Sequence, residues 1–145
     1  MATVADVLAV RGTHVLSTAP DVTVLDAAMR MNEHKIGSLL VMENGRLVGI
    51  ITERDMLQRV LVSRHDPADM HVGEVMTTEL VCCYPHTTLE EARGVFKNRR
   101  IRHLPVLDQD ERLIGMISIG DLNAYQSTDQ ERTIFTLEQY IYGRA

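Results

Sequence analysis

Several residue types that often decide a function are scarce in this chain of 145 residues. It has no Trp, and aromatic residues make up only 4% of it, so aliphatic side chains and Met must fill the core. Its two cysteines, Cys82 and Cys83, are adjacent and point to opposite faces of an extended strand. This arrangement argues against a mutual disulfide, leaves too few ligands for a metal site, and favours a reducing compartment.

Long apolar runs and an excess of positive charge are also missing. No apolar stretch approaches the length needed to cross a bilayer, and the opening M-A-T-V-A-D lacks the basic and apolar segments of an export signal. The net charge of -5 gives no general reason to expect nucleic acid or an anionic membrane as a partner. We therefore expect a cytoplasmic protein that binds neither nucleic acid nor membranes.

What the chain does contain is ordinary for one soluble globular domain, with 45% hydrophobic and 24% charged residues. One local departure is a basic cluster of seven residues that contains Lys97, Arg99, Arg100, Arg102 and His103. In an acidic protein such a cluster is either a solvated helix end or a phosphate pocket, and composition leaves both open.

The sequence is internally duplicated. T-V-L-D-A-A-M-R-M, from Thr23, matches T-T-L-E-E-A-R-G-V, from Thr87, and I-G-S-L-L-V, from Ile36, matches I-R-H-L-P-V, from Ile101. A third match pairs R-L-V-G-I-I-T-E-R-D-M with R-L-I-G-M-I-S-I-G-D-L. In this alignment the offset rises from 64 to 66 through two single-residue insertions, both at expected turns.

Each copy predicts a helix, two strands and a second helix. Leu25, Ala28 and Met31 have helical spacing. Asp21 or Thr23 can cap the start of this helix, as Thr87 can in the second copy. Two apolar runs around an N-G pair then predict a hairpin. A short extended piece precedes each helix.

We therefore predict an α/β (α+β) fold of two βαββα repeats packed about a pseudo-two-fold axis, because one copy is too short to bury a core alone. The predicted segments are a first repeat at 1–69, a second repeat at 70–128 and a C-terminal helix at 129–145. The stripe of Ile134, Leu137 and Ile141 on that helix either packs on its own domain or forms a dimer contact.

An L-x-x-A helix, then I-x-x-L-P-V, then glycine, two apolar residues and [ST]-x-x-D, all present twice, resembles a tandem pair of cystathionine beta-synthase (CBS) domains, a Bateman module. The resemblance covers about residues 5–127 and is closest to small stand-alone CBS-pair proteins. It implies a regulatory module, not an enzyme, that binds AMP, ADP, ATP, NAD(H) or S-adenosylmethionine in the cleft between the repeats. It also implies a homodimer and a downstream protein that the sequence does not name.

The repeated [ST]-x-x-D segments have two interpretations. We call Gly49–Asp55 (G-I-I-T-E-R-D) the first motif and Gly115–Asp121 (G-M-I-S-I-G-D) the second motif. Each can form a capping box, in which the hydroxyl and the acid satisfy backbone N–H groups at a helix start. Aspartate is shorter than the usual Glu or Gln and reaches back less easily, which favours another partner for it.

In the functional interpretation the motifs bind a nucleotide, and this role can coexist with capping. Ionised Asp55 and Asp121 accept the hydroxyl hydrogens of a ribose, while Thr52 and Ser118 donate to a phosphate at the helix start. Apolar and glycine residues of both copies form the wall for the base, although core packing is the alternative for the isoleucines. The proposed wall residues are Ile36, Gly49, Ile51, Ile101, Gly115 and Ile117.

The phosphate-binding cations differ between the copies. In the family pattern the I-x-x-L-P-V loop of one repeat approaches the phosphate held by the other, so Arg102 and His103 would serve the first motif, with Arg54 nearby. The first copy has the uncharged Gly37 and Ser38 at the equivalent positions. We expect the first motif to prefer an anionic nucleotide and the second to be weaker or to take a less charged ligand. A surface salt-bridge patch is the alternative for the cations.

Two other function classes compete with a sensor. An enzyme finds no support, because the sequence has no nucleophile–base pattern and no Walker-type loop. A ligand-independent interaction scaffold, in which both motifs only cap helices, agrees with the sequence as written. No histidine spacing indicates a metal site.

Overall fold

The computed structural model describes residues 1–127, so the predicted helix at 129–145 and its apolar stripe lie outside the described residues. The described chain contains six α-helices and five strands in two small sheets, which confirms the predicted α/β class. None of these helices is long and apolar enough to cross a bilayer. In chain order the elements are α1 (Val4–Arg11), β1 (Ser17–Thr18), α2 (Val24–His34), β2 (Ser38–Glu43), β3 (Arg46–Thr52), α3 (Glu53–Met56), continued by a π-helical turn (Leu57–Leu61), α4 (Val72–Val75), α5 (Leu89–Arg99), β4 (His103–Leu107), β5 (Leu113–Ser118) and α6 (Ile119–Gln126).

One compact unit consists of residues 14–82 and 108–113. Its sheet has the order β1-β2-β3, with β1 parallel to β2 and β2 antiparallel to β3. Asn44 and Gly45 join β2 to β3 with φ angles of 51° and 78°, the left-handed values of a two-residue hairpin turn, so the predicted hairpin is confirmed. Aliphatic side chains and one Met fill the core of this unit: Val24, Ala27, Met31, Leu39, Val41, Ile51, Val60, Val72 and Val75.

The described part of the other compact unit consists of residues 1–13, 83–107 and 114–127. It holds the β4–β5 hairpin together with α5, α6 and the much earlier α1. The backbone N–H of Val4 donates to the carbonyl of Thr87 (2.8 Å), and that of Ala5 donates to the carbonyl of Pro85 (2.9 Å). A helix at the start of the predicted first repeat therefore packs with elements of the second. The predicted boundaries of the first repeat (1–69), the second repeat (70–128) and the C-terminal helix (129–145) stay predictions.

α4 repeats this arrangement in the first unit. V-A-D-V-L of α1 and V-G-E-V-M of α4 are similar segments, each placed just before one repeat. The side chain of Leu8 lies against Gly115, where an added Cβ would be 2.9 Å from Leu8 Cδ2. In the same way, an added Cβ at Gly49 would be 2.6 Å from Met76 Sδ. Each short helix thus lies against the glycine of the motif in its own compact unit.

The structure corrects the predicted cap of α5. Thr88 is the N-cap, and its Oγ1 accepts from the backbone N–H of Glu91 at 3.1 Å. The Oγ1 of Thr87 accepts instead from the backbone N–H of Tyr84 at 3.0 Å, so the prediction that Thr87 caps this helix is wrong. Thr23 does cap α2, as predicted, because its Oγ1 accepts from the N–H of Asp26 at 3.1 Å.

The buried helix faces shift with the cap. Val24, Ala27 and Met31 are buried in α2, whereas Leu25 is 39% exposed, so the predicted face is wrong by one residue for most of its length. The spacings i, i+3 occur from Val24 as well as from Leu25, so periodicity alone does not choose between them. In α5 the buried set is Leu89, Ala92 and Phe96, which aligns with that of α2 at a constant offset of 65 residues. The two copies therefore differ by a single inserted residue, in the hairpin turn.

Candidate functional site

The first motif forms a complete capping box at the start of α3. The backbone N–H of Thr52 donates to Asp55 Oδ2 at 3.0 Å, and the N–H of Asp55 donates to Thr52 Oγ1 at 3.2 Å. The expectation that an aspartate reaches back poorly is wrong here, because the extended backbone of Thr52 (φ -123°, ψ 165°) turns its N–H toward the first helical turn. Capping is therefore a role that Asp55 has without any ligand.

Asp55 also has partners that lie outside the motif. Its side chain is buried, with the residue 6% exposed, and Oδ1 accepts from Thr77 Oγ1 at 2.9 Å. Arg59 Nε lies 4.0 Å from the same oxygen, while Arg59 Nη1 donates to the carbonyls of Val75 (2.9 Å) and Met76 (3.0 Å). A buried carboxylate is tolerated only when it is hydrogen-bonded or paired, and these contacts meet that need.

Backbone pairing fixes Thr77 in this position. Thr77 N donates to the carbonyl of Ile50 at 2.8 Å, and Ile50 N donates to the carbonyl of Thr77 at 3.0 Å. Gly49 permits the approach, because an added Cβ would lie 3.0 Å from the Thr77 carbonyl oxygen. The space beside Gly49, predicted to admit a ligand, holds Met76 and Thr77 in this structure, and the role of Gly49 toward a ligand stays a prediction.

The second motif closes the same box at the start of α6. Ser118 N donates to Asp121 Oδ2 at 2.8 Å, and Asp121 N donates to Ser118 Oγ at 3.0 Å. Here the outside partner is a cation: Arg11 Nε donates to Asp121 Oδ2 at 2.7 Å. The two side chains are 27% and 26% exposed, so this ion pair lies at the edge of the unit and not in its core.

His103 and Arg102 lie close to this pair. The backbone N–H of Ile119, the first residue of α6, donates to the carbonyl of Arg102 at 3.1 Å, which places the start of β4 beside the second motif. Burial lowers the pKa of His103, the carboxylate of Asp121 opposes that change, and the charges of Arg102 and Arg11 add to it. His103 is therefore mainly uncharged at neutral pH. We call Arg11, Arg102, His103 and Asp121 the Asp121 cluster.

The remaining predicted residues occupy different depths. Ile51 and Ile117 are fully buried, which agrees with core packing, the alternative to a role in the wall for the base. Ile36 and Ile101 are half-buried. Arg54 is exposed on α3. Their roles toward a base or a phosphate stay predictions. The same is true of the expectation that Arg102 and His103 contact a phosphate held by the first motif. Within residues 1–127, no group of three or more His, Cys, Asp or Glu side chains is arranged to hold a metal ion.

Sequence reasoning missed Thr77, Arg59 and Arg11. Arg11 ends the short helix α1 and Thr77 follows the short helix α4, and both helices lie outside the three matched blocks of the repeat. The likeness of V-A-D-V-L to V-G-E-V-M was the available signal, because equivalent helices are expected to lie in equivalent places. Nothing in the spacing of Arg59 marks it as a donor to the two carbonyls that follow α4.

Comparisons with known proteins agree with this geometry. The family model described as "CBS domain" matches residues 4–62 and again 72–127. The chain is 35% identical over 150 residues to the CBS domain-containing protein CBSX3, mitochondrial, of Arabidopsis thaliana, covering 97% of this chain and 72% of the relative. It is 36% identical over 118 residues to the CBS domain-containing protein YhcV of Bacillus subtilis, covering 81% and 83%. The solved CBS domain structure of NE2398 has a TM-score of 0.82 at 37% identity, covering 87% of this chain and 98% of that one.

Two more distant matches have names that mention adenosine compounds. The CBS domain pair of protein MJ0100, solved in complex with 5′-methylthioadenosine and S-adenosyl-L-methionine, has a TM-score of 0.73 over 86% of this chain and 95% of that one. At 21% identity this likeness carries the fold alone. The gamma-3 subunit of 5′-AMP-activated protein kinase of Sus scrofa is 29% identical over 115 residues, covering 74% of this chain and 22% of that subunit.

Proposed function

Because the chain belongs to the CBS domain family, we propose that it is a regulatory module that binds an adenosine-containing nucleotide and reports energy or redox state to another protein. The observation that carries this proposal is the repeated motif itself. In each copy a carboxylate at a helix start accepts from one backbone N–H, and the backbone N–H of the same aspartate donates to a neighbouring hydroxyl oxygen. We propose a sensor that performs no catalysis.

The chemistry of the motif suits a nucleotide. Ionised Asp55 and Asp121 act only as hydrogen-bond acceptors, and the adjacent 2′- and 3′-hydroxyls of a ribose supply two donors. Thr52 and Ser118 lie beside them, and we propose that their hydroxyl groups donate to a phosphate. For Thr52 this replaces the bond that its Oγ1 donates to Asp55 Oδ2 at 3.1 Å. The name of one related protein supports this class of ligand, since the gamma-3 subunit belongs to a protein kinase named as 5′-AMP-activated. AMP is the ligand we propose first, with ADP, ATP and NAD(H) as the alternatives.

The quaternary and cellular parts of the proposal rest on family membership. We propose that the ligand lies in the cleft between the repeats, as the family resemblance implies, and that two chains form a homodimer. Light scattering on the purified chain tests the dimer directly. The downstream partner is a protein that this sequence does not name. A cytoplasmic location is our expectation from the composition, although one matched relative is named as mitochondrial.

A ligand-independent scaffold is the second candidate, and a specific observation favours it. Besides its capping box, each carboxylate has a partner within the chain: Asp55 Oδ1 accepts from Thr77 Oγ1, and Asp121 Oδ2 pairs with Arg11 Nε. In a scaffold the motif residues would act only to stabilise the fold through these contacts.

Calorimetric titration of the purified chain distinguishes the two candidates. AMP, ADP, ATP, NAD(H), S-adenosylmethionine and adenosine are titrated into wild type, Asp55→Asn and Asp121→Asn, with the exposed loop variant Asp110→Asn as a matched control. A sensor binds at least one of these ligands, which also raises its melting temperature, and the motif variants weaken binding while the control does not. Absence of heat and of any melting shift with every ligand contradicts the proposal and supports the scaffold.

A further inference from the structure

We propose that Arg11 is the specificity residue of the second motif and that it makes this motif select a ligand carrying a phosphate group. The inference rests on the proposed function, since it concerns how Asp121 accepts a ribose. Arg11 lies outside both motifs, at the end of α1, and reaches Asp121 only because α1 packs with the second repeat.

Without a ligand, Arg11 and Asp121 neutralise each other. Asp121 Oδ2 accepts from both Ser118 N (2.8 Å) and Arg11 Nε (2.7 Å). A ribose hydroxyl that donates to Oδ2 must compete with the guanidinium for its lone pairs. An uncharged nucleoside offers nothing in return, so it would leave a partly buried cation without its counter-ion, which is costly.

A phosphate changes this balance because it replaces the lost counter-ion. The guanidinium of Arg11 has five N–H donors in a planar fork that matches a phosphate, and only Nε is used on Asp121, with Nη1 donating to the carbonyl of Gly12 at 3.1 Å. When the nucleotide binds, the bond between Arg11 and Asp121 breaks, Asp121 accepts from the ribose hydroxyls, and Arg11 donates to the phosphate. Both charges keep a partner throughout the exchange.

The surroundings favour the same ligand. With His103 uncharged, the Asp121 cluster holds two guanidinium groups and one carboxylate, so it is net positive before a ligand arrives. Asp55 differs, because its outside hydrogen-bond donor is the neutral hydroxyl of Thr77. Its nearest cation, Arg59, lies 4.0 Å from Oδ1 and already donates to the carbonyls of Val75 and Met76. The second motif should therefore bind a ligand with a phosphate much more tightly than an uncharged nucleoside. This reverses the sequence-based expectation of a weaker site or a less charged ligand there.

Nuclear magnetic resonance can follow each motif separately, through the backbone amides of Ser118 and Thr52. Wild type, Arg11→Gln and Arg11→Lys are titrated with AMP and with adenosine. At Ser118 we expect wild type to bind AMP roughly 10- to 100-fold more tightly than adenosine, as the loss of a charge-assisted bond implies. Arg11→Gln should reduce this ratio to about 1, because AMP loses its cation and adenosine no longer leaves a cation unpaired. Arg11→Lys should be intermediate because it keeps the charge but not the fork. The Thr52 titration should be the same in all three proteins.

Several outcomes overturn the inference. If Arg11→Gln weakens AMP and adenosine by the same factor, Arg11 acts only on the structure. If wild type responds at Thr52 alone, the second motif is not a site, although the proposed function survives. If neither amide of wild type responds to any ligand, the proposed function itself fails. Should Arg11→Gln not fold, added salt provides the test in wild type: it must weaken AMP at Ser118 without weakening adenosine, and an equal weakening of both contradicts the inference.

Discussion

Asp55 and Asp121 end the same seven-residue motif and close the same capping box, yet their other contacts differ. Asp55 is 6% exposed and accepts from the hydroxyl of Thr77, while Asp121 has a side chain that is 26% exposed and pairs with Arg11. The difference arises in the segments that pack against the motifs, because Thr77 follows α4 and Arg11 ends α1. In this duplicated chain the two sites have diverged through their neighbours more than through the motif.

The largest expected effect is on stability when each aspartate is removed. Asp55→Ala leaves the N–H of Thr52 and the hydroxyl of Thr77 without an acceptor in a part-buried place, so we expect the free energy of unfolding to fall by about 2–4 kcal/mol. Asp121→Ala removes a more exposed acceptor and should cost about 1–2 kcal/mol. Urea titration measures both. Equal losses would mean that the burial of Asp55 does not distinguish the two sites.

The motif glycines come next in expected effect. A methyl group at Gly49 would meet Met76 Sδ at 2.6 Å and the Thr77 carbonyl oxygen at 3.0 Å, so Gly49→Ala should destabilise by about 1–3 kcal/mol. Gly115→Ala meets Leu8 Cδ2 at 2.9 Å, and a side-chain methyl moves more easily than backbone, so its cost should be smaller.

Gly94→Ala is the matched control for both glycine substitutions. Gly94 lies inside α5 with nothing within 4 Å of an added Cβ, so Gly94→Ala should stabilise by about 0.5–1 kcal/mol through helix propensity. Thermal unfolding of the three variants tests the order. A larger loss for Gly115→Ala than for Gly49→Ala would show that α1 is the more rigidly packed of the two short helices.

The outside partners themselves should have smaller effects. Thr77→Val keeps the shape of the side chain but removes the donor to a buried carboxylate, for an expected loss of about 1–2 kcal/mol. Arg11→Gln removes a part-exposed ion pair and should cost about 0.2–1 kcal/mol. Chemical denaturation at low and high salt separates them, because only the Arg11 effect should shrink as salt screens the pair. A salt-sensitive Thr77→Val effect would contradict this assignment.

The smallest expected effect is on the pH dependence of stability. Burial holds the pKa of His103 below its ordinary value of 6.5, so the unfolded chain binds a proton more readily than the folded one. The contribution of His103 is therefore complete above pH 6.5 and is lost as the pH falls below that value toward the lowered pKa. His103→Gln should flatten this part of the stability curve. An unchanged curve would show that another group controls it.

Local features of this fold could be predicted from the sequence, and long-range ones could not. The N-G hairpin, the Thr23 cap and the duplication follow from neighbouring residues and are present in the structure. The buried face of α2 was misplaced by one residue because helical spacing fits Val24 as well as Leu25. Arg11 was missed because its contact spans 110 positions, and no periodicity or turn signal reports a contact of that kind.

The packing of α1 with the second repeat also bears on how the chain folds during synthesis. α1 is synthesised before Thr87, Gly115 and Asp121, which hold it. Until then Val4, Val7 and Leu8 have no native surface to cover them, and the loop that must close is long. Docking of α1 is thus a late folding event. A tag or truncation before Val4 should disturb the contact of Asp121 with Arg11 and leave the contact of Asp55 with Thr77 intact.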